Sequence, residues 1–346
     1  MAYDRGRQPD PAAAALQKGM EMDLNAPREP FEIHGDSWYN KPLDYKVVIY
    51  EADHETHVAK VTMNRPERLN ALSHQLRAEL FHALKVAERD KDINAIIIKG
   101  AGRAFSTGYD LGGGNAGTPE PDFGSQYIGD SHWHRYLVNQ YWQIWELSKI
   151  VIAQTHGYVL AGGSDLMSVC DLLVTTPDCQ FGYPAIRAMS APDLMWFPWF
   201  LPKMKAAEMV YTGDSITGEE MHRLGAATYC VPQPDIDEFT EAFAKRVALI
   251  PWQANSIRKR MLQKAYEFMG WKLGLEITAL MQEQLSQTEP LKEWGEVFRK
   301  LPLREYLTLR DKPYKDYRTA EQTILERAKR EGEAWKGVSE ETKPGA

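Results

Sequence analysis

The chain has 346 residues, with 41 Lys and Arg against 48 Asp and Glu, a formal charge of −7. At 43% hydrophobic and 26% charged residues the composition is globular, which excludes a fully disordered chain; the length allows one large domain or two of about 150 residues. The mild acidity speaks against a nucleic-acid groove, no apolar run approaches the ~20 residues of a membrane helix, and the short run 12–16 is too little for a signal peptide. Cys170, Cys179 and Cys230 make no metal-like spacing and suit a reducing compartment, so a cytoplasmic enzyme with no nucleic-acid or membrane partner is expected.

Residues 1–45 carry Pro9, Pro11, Pro27, Pro30 and Pro42 without sustained periodicity and read as an extended arm. Two β-branched runs at 46–51 and 57–63 form a hairpin-like pair. Ser73 then caps a helix in which Leu76, Leu80 and Leu84 recur at i, i+4 and i+8. Ile96, Ile97 and Ile98 in succession mark 94–99 as a strand buried on both faces. Short buried strands are predicted at 150–155 and 171–175, with room for two turns of helix at 162–169. Thr217 with Glu220 is a capping box, and Gly225 is placed to stop that helix. Helices follow at 235–249, 252–269 and 271–286. The organisation is an α/β core over 46–233, a helical region over 234–300 and a charged extension over 301–346. From Asp311 to Lys343 that extension holds 8 acidic and 8 basic residues, so it has no net sign to steer a partner; a helix at 319–335 would suit packing over a neighbouring subunit.

The first chemically informative stretch is 100–111, Gly-Ala-Gly-Arg-Ala-Phe-Ser-Thr-Gly-Tyr-Asp-Leu, directly after the isoleucine strand. Glycines at 100, 102 and 108 permit backbone conformations closed to other residues and let a ligand approach the main chain; an ordinary glycine-rich turn is the alternative. The second is 153–171, where a strand runs into Ala161-Gly162-Gly163 and a short apolar helix. Backbone N–H groups at such a helix start lack intrahelical partners and favour anions. Two glycine-bearing loops on adjacent strands could aim two N–H groups at one oxygen, the geometry of an oxyanion hole.

Five ordered blocks make the sequence resemble the crotonase (enoyl-CoA hydratase/isomerase) superfamily over roughly 46–289. They are Met63-Asn64-Arg65-Pro66 with Leu69-Asn70-Ala71-Leu72, Phe105-Ser106-Thr107-Gly108-Tyr109-Asp110-Leu111, Ala161-Gly162-Gly163 with its helix, Phe181-Gly182-Tyr183-Pro184, and Tyr211-Thr212-Gly213-Asp214 with Gly225-Ala226. The resemblance implies an α/β fold, a crotonase-like spiral of ββα turns with a C-terminal helical trimerisation region, and a homotrimer or hexamer. It implies an acyl-CoA substrate whose thioester enolate is stabilised, with coenzyme A part of the substrate and no separate cofactor. The oxyanion donors would be the backbone N–H groups of Tyr109 and Gly162. Backbone around Ala104 and Ser106 would hold the adenine; Arg65 or Lys259 would meet CoA phosphates, with plain solvated cations as the alternative.

Hydratases of this family use two glutamates, one shortly after the glycine triplet and one just after Phe-Gly-x-Pro. Those positions are Asp165 and Ala185 here, and Ala185 can do no proton chemistry. Asp193, eight residues on, introduces the apolar run Leu194-Met195-Trp196-Phe197. A carboxyl there should hold its proton more tightly, which suits an acid or base; capping the next helix is the competing role. Some relatives, a haloaroyl-CoA dehalogenase and certain C–C bond hydrolases, place a catalytic aspartate near that position. His132 and His134 fall where the family has a mobile cover over the acyl pocket. At i, i+2 they would point to opposite faces of a strand, so no metal site is expected, and His132 is either an acid/base or a plain hydrogen-bonding residue. The aromatic excess around 133–145 and 196–200 suggests a broad apolar pocket, although helical spacing places most of these rings in the core. Gly112-Gly113-Gly114-Asn115-Ala116-Gly117 matches GxGxxG, but Pro119 and Pro121 forbid the helix a dinucleotide site needs. Gly163-Ser164-Asp165-Leu166 lacks the final glycine of a nucleophile elbow.

The leading expectation is therefore a hydratase-type lyase for a bulky or cyclic acyl-CoA. In it Asp165 positions or deprotonates water, and Asp193 or a flap histidine makes the second proton transfer. The alternatives are a C–C bond hydrolase of a cyclic β-dicarbonyl compound and a non-catalytic acyl-CoA-binding homologue.

Overall fold

A computed structural model describes residues 43–111, 132–188, 191–286 and 288–314. Residues 1–42 of the arm expected over 1–45, the GxGxxG segment and the tail helix at 319–335 lie outside the described residues. The β-branched runs form β1 (Val48–Asp53) and β2 (Val58–Met63), paired antiparallel as a hairpin. Ser73 accepts the Leu76 N–H at 3.2 Å and opens α1 (His74–Arg89), which buries Leu76, Leu80 and Leu84. In β3 (Ala95–Gly100) the isoleucines alternate, Ile96 and Ile98 into one core and Ile97 into a second, so both faces of the strand are covered.

Beyond α2 (His132–Trp145) the chain repeats one unit: a strand in the main sheet, a short strand in a second sheet, then helical or turn structure. β4 (Ile150–Thr155) leads to β5 (Tyr158–Leu160) and α3 (Gly162–Ser168); β6 (Leu172–Thr175) leads to β7 (Gln180–Gly182) and the 3-10 turn Pro184–Arg187. Next come α4 (Phe197–Phe200), α5 (Lys203–Thr212), β8 (Ile216–Thr217), α6 (Gly218–Arg223) and β9 (Tyr229–Cys230). The main sheet runs β1-β2-β3-β4-β6-β9, parallel after the first pair, and the second sheet runs β5-β7-β8. Thr217 caps α6 by accepting the Glu220 N–H at 3.2 Å, and Gly225 sits just beyond that helix at φ +79°.

Helices α7 (Ile236–Ala248), α8 (Trp252–Phe268), α9 (Trp271–Ser286), α10 (Glu289–Lys300) and α11 (Leu303–Asp311) complete the described chain. Most expected elements shift by one or two residues; β5, β7 and β8 were too short to show a period. α11 lies wholly beyond the boundary drawn at 300, in the segment read as a charged extension. Tyr306 is fully buried against the rings of Trp294 and Phe298, and Asp311 accepts from Arg187 Nη1 at 3.1 Å. Among the described residues no helix is long and apolar enough to cross a membrane.

Candidate active site

The 104–108 loop is laced to β5, with the Ser106 N–H donating to Tyr158 O and the Leu160 N–H to Ser106 O, both at 3.0 Å. That brings the two glycine loops into contact. Gly108 adopts φ +94°, and a Cβ there would lie 2.8 Å from Ala161 Cβ and 3.1 Å from the Gly162 nitrogen. Leu72 N–H donates to Gly108 O at 2.8 Å and Asp110 N–H to Leu72 O at 3.4 Å, so the Tyr109 N–H faces the other way. Gly162 is the first residue of α3, where an N–H has no intrahelical partner. Among the described residues neither N–H donates to a backbone carbonyl. Ala161, between β5 and α3, is held at φ +48°, a backbone strain of about 1–3 kcal/mol that the surrounding bonds must sustain.

Asp165 projects from the first turn of α3, and every residue of that helix is buried. Its Oδ1 accepts the Leu194 N–H at 3.3 Å, which draws Asp193, itself 4% exposed, alongside. Asp193 caps no helix, because the residue preceding α4 is Trp196. Oδ2 of Asp165 is buried with no hydrogen bond of full geometry among the described residues. Burial first, and then the charge of Asp193, holds the Asp165 carboxyl well above the usual carboxylate range. Asp165 therefore keeps its proton to higher pH than a solvated carboxyl would.

Three phenols surround the pair. The hydroxyls of Tyr109 and Tyr141 are 3.0 Å apart, and Tyr141 donates to Gly162 O at 3.1 Å. Since Tyr141 has one proton and donates it there, Tyr109 is the donor between the two hydroxyls. The Tyr109 ring covers Gly162 so closely that a Cβ on that glycine would meet the ring at 2.8 Å. The Tyr183 hydroxyl borders the Asp165 carboxyl and the Asp193 backbone. Burial first, and then the charge of Asp193 or Asp165, raises all three phenols well above their usual range, so they stay neutral donors.

The fold thus gathers four of the residues expected at the reacting centre: Tyr109, Gly162, Asp165 and Asp193. Others go elsewhere. Arg65 donates to Ala71 O at 2.6 Å and to Asp110 Oδ2 at 2.9 Å, with its side chain 11% exposed. Lys259 Nζ lies 2.6 Å from Asp171 Oδ2 and 3.0 Å from Lys149 O, with its side chain 2% exposed. Each cation is thus committed to a carboxylate inside the fold, Arg65 to Asp110 and Lys259 to Asp171, so the expected contact with a CoA phosphate would have to compete with that pair. At the backbone expected to hold adenine, Ala104 and Ser106 are engaged within the fold. Both are fully buried, Ala104 O accepts Asn70 Nδ2 at 2.8 Å, and Ser106 is bonded to β5 and, through Oγ, to Asn70 O. His132 opens α2 instead of lying on a strand, and its side chain is outside the described residues. Ala185 lies in the 3-10 turn, half-buried against the main core.

Most of the aromatic excess is structural. Trp145, Trp199 and Phe200 pack on Trp271 at centroid distances of 5.7, 5.4 and 6.0 Å. They wall a cavity of about 590 Å³ at the far end of α3, and none of the four gathered residues lines it. Tyr141, Tyr183, Ser164 and Trp196 were not singled out as site residues. The signal available was their type: a buried hydroxyl or indole N–H needs a partner, and here the partners are the glycine helix and its aspartate.

The sequence model of the enoyl-CoA hydratase/isomerase family matches residues 53–300. EchA13 of Mycobacterium tuberculosis, an enoyl-CoA hydratase by name, is 30% identical over 275 residues, 74% of this chain and 84% of the relative. The (E)-benzylidenesuccinyl-CoA hydratase of Thauera aromatica is 28% identical over 196 residues, 56% of this chain and 73% of that protein. The crystal structure of an enoyl-CoA hydratase from Mycobacterium smegmatis superimposes with a TM-score of 0.70 at 26% identity, covering 79% of this chain and 96% of that one. The expected α/β crotonase-like fold is borne out.

Proposed function

The chain belongs to the enoyl-CoA hydratase/isomerase family, and on that premise we propose that it is a hydratase-type lyase acting on a bulky or cyclic α,β-unsaturated acyl-CoA. The observation that carries this reading is the buried Asp165–Asp193 pair beside two outward backbone N–H groups. The thioester oxygen accepts from the Tyr109 and Gly162 N–H groups, which strengthen their hold as enolate charge develops. Asp193 takes a proton from water as the water oxygen bonds to the β carbon, and Asp165 delivers its proton to the α carbon. One C=C π bond breaks, one C–O and one C–H bond form, and proton exchange within the pair restores the resting state.

The high proton affinity of Asp165 supports the acid role for it, in place of the water-base role that its position suggested. Asp193 stands in for the carboxylate missing at Ala185. Coenzyme A enters as part of the substrate, and these steps use no other cofactor. Three aromatic side chains, Tyr109, Tyr141 and Tyr183, around the carboxylates support a bulky acyl group. So does the likeness to a relative named for benzylidenesuccinyl-CoA. Exposed apolar side chains along α8 and α9, among them Ile257, Met261, Phe268 and Leu273, support a homo-oligomer, which light scattering would count.

The test is a panel of straight-chain, cyclic and aryl enoyl-CoAs, with product structures read by nuclear magnetic resonance. Hydration leaves ring and thioester intact and puts a hydroxyl on the β carbon. A ring-opened product would replace the lyase reading with the C–C hydrolase, and tight binding without turnover would replace it with a non-catalytic binder.

A further inference from the structure

We propose that Ser164 and Trp196 are positioning residues that orient the Gly162 N–H and strengthen it as a hydrogen-bond donor. This rests on the oxyanion role proposed above for Gly162. The Trp196 indole Nε1 lies 3.2 Å from Ser164 Oγ, and Ser164 Oγ lies 2.7 Å from Ala161 O. An indole N–H can only donate, and a serine hydroxyl has one proton, so the direction of the chain is fixed: Trp196 to Ser164, Ser164 to Ala161 O. That carbonyl belongs to the peptide whose other end is the Gly162 N–H.

Ala161 O also accepts the Ser164 N–H at 2.8 Å and the Asp165 N–H at 3.2 Å. Three donors from two side-by-side residues therefore draw electron density toward one oxygen, and amide resonance passes the effect to the nitrogen, making its proton a better donor. The same bonds fix the plane of a peptide that follows a residue strained at φ +48°.

A serine bonding back to a carbonyl three residues earlier is common in helices. The indole is what takes this one beyond local structure. It arrives from the 193–196 turn, 32 residues away in sequence, and the same turn supplies the Leu194 N–H to Asp165 and carries Asp193. Ser164 and Trp196 are both fully buried, so water cannot take over either bond. The turn that carries the second carboxylate is thereby linked to the oxyanion peptide.

The probe is butyryl-CoA, a saturated thioester, isotope-labelled at its carbonyl and bound to the full-length protein. Its C=O stretch is read by infrared difference spectroscopy, alongside kcat and KM on the best substrate. Trp196→Phe keeps a ring to stack on Phe197, at 4.1 Å in the present structure, and removes only the donor; Ser164→Ala removes the link itself. In wild type the stretch should fall below its value in solution. It should move back toward that value in both variants, further in Ser164→Ala. kcat should drop about 3- to 10-fold with KM within about twofold, a fraction of what losing an oxyanion donor outright costs. The double variant should be no worse than Ser164→Ala, because one chain is broken once. A lowered wild-type stretch that both variants keep would overturn the inference, even if their melting temperatures fall. A wild-type stretch equal to that in solution would overturn the oxyanion reading instead.

Discussion

Replacing Asp165 with Asn separates proton chemistry from packing. The amide is nearly the same size, and its oxygen can still accept the Leu194 N–H that now reaches Oδ1 at 3.3 Å, so the 193–196 turn keeps its anchor. What disappears is the transferable proton. A positioned general acid contributes about 10²- to 10⁴-fold, and at about 1.4 kcal/mol per decade the barrier should rise by about 3–5 kcal/mol. KM should stay within about threefold, because the thioester is proposed to be held by backbone N–H groups that the substitution leaves in place. Stability supplies a second readout. Burial and Asp193 raise the Asp165 pKa in the folded state above its unfolded value of about 3.9. Its contribution to stability is then fully present below that value and is lost as pH rises through the folded-state pKa. Asn suffers no such loss, so the variant should gain in melting temperature relative to wild type as pH rises. Hydration is followed by loss of the conjugated enoyl absorbance, and melting by a pH series of thermal scans. A variant that keeps kcat within about tenfold of wild type, with a pH-independent melting difference, would refute the reasoning.

Gly108→Ala places a Cβ 2.8 Å from Ala161 Cβ and 2.9 Å from Leu160 O, at φ +94°. Shifting the loop by the distance this demands should cost about 10²-fold in kcat, and wild-type turnover would contradict the contact between the two glycine loops. Arg187 pairs with Asp214 at 2.8 Å, both side chains under 10% exposed, and with the more open Asp311 at 3.1 Å. Arg187→Met leaves Asp214 buried alone and should cost about 3–5 kcal/mol in urea unfolding, against about 1 kcal/mol or less for Asp311→Asn. Equal losses would mean that burial does not set the hierarchy.

The elements that could be read from the chain were those governed by neighbours close in sequence. Ser73 and Thr217 cap helices because a hydroxyl reaches an N–H three residues on. The isoleucine run is a doubly covered strand because alternation needs only consecutive side chains. The glycine loops and Asp165 followed from backbone sterics and from a resemblance carried by short blocks.

Tertiary structure decided what those groups meet. Asp165 and Leu194 are 29 residues apart, and Ser164 and Trp196 are 32 apart, so no local pattern announces that one turn serves both. Arg65 and Lys259 looked like solvated cations until folding enclosed Asp110 and Asp171 beside them. Ala104 and Ser106 were read as backbone open to a ligand, until Asn70 took up Ala104 O and β5 took up the Ser106 peptide groups. Sequence by itself determined which residues could do chemistry, because that is a matter of functional groups and short-range geometry. Only the fold decided which of them share a dry site, because desolvation, and with it the proton on Asp165, is set by atoms that the chain brings back from a distance.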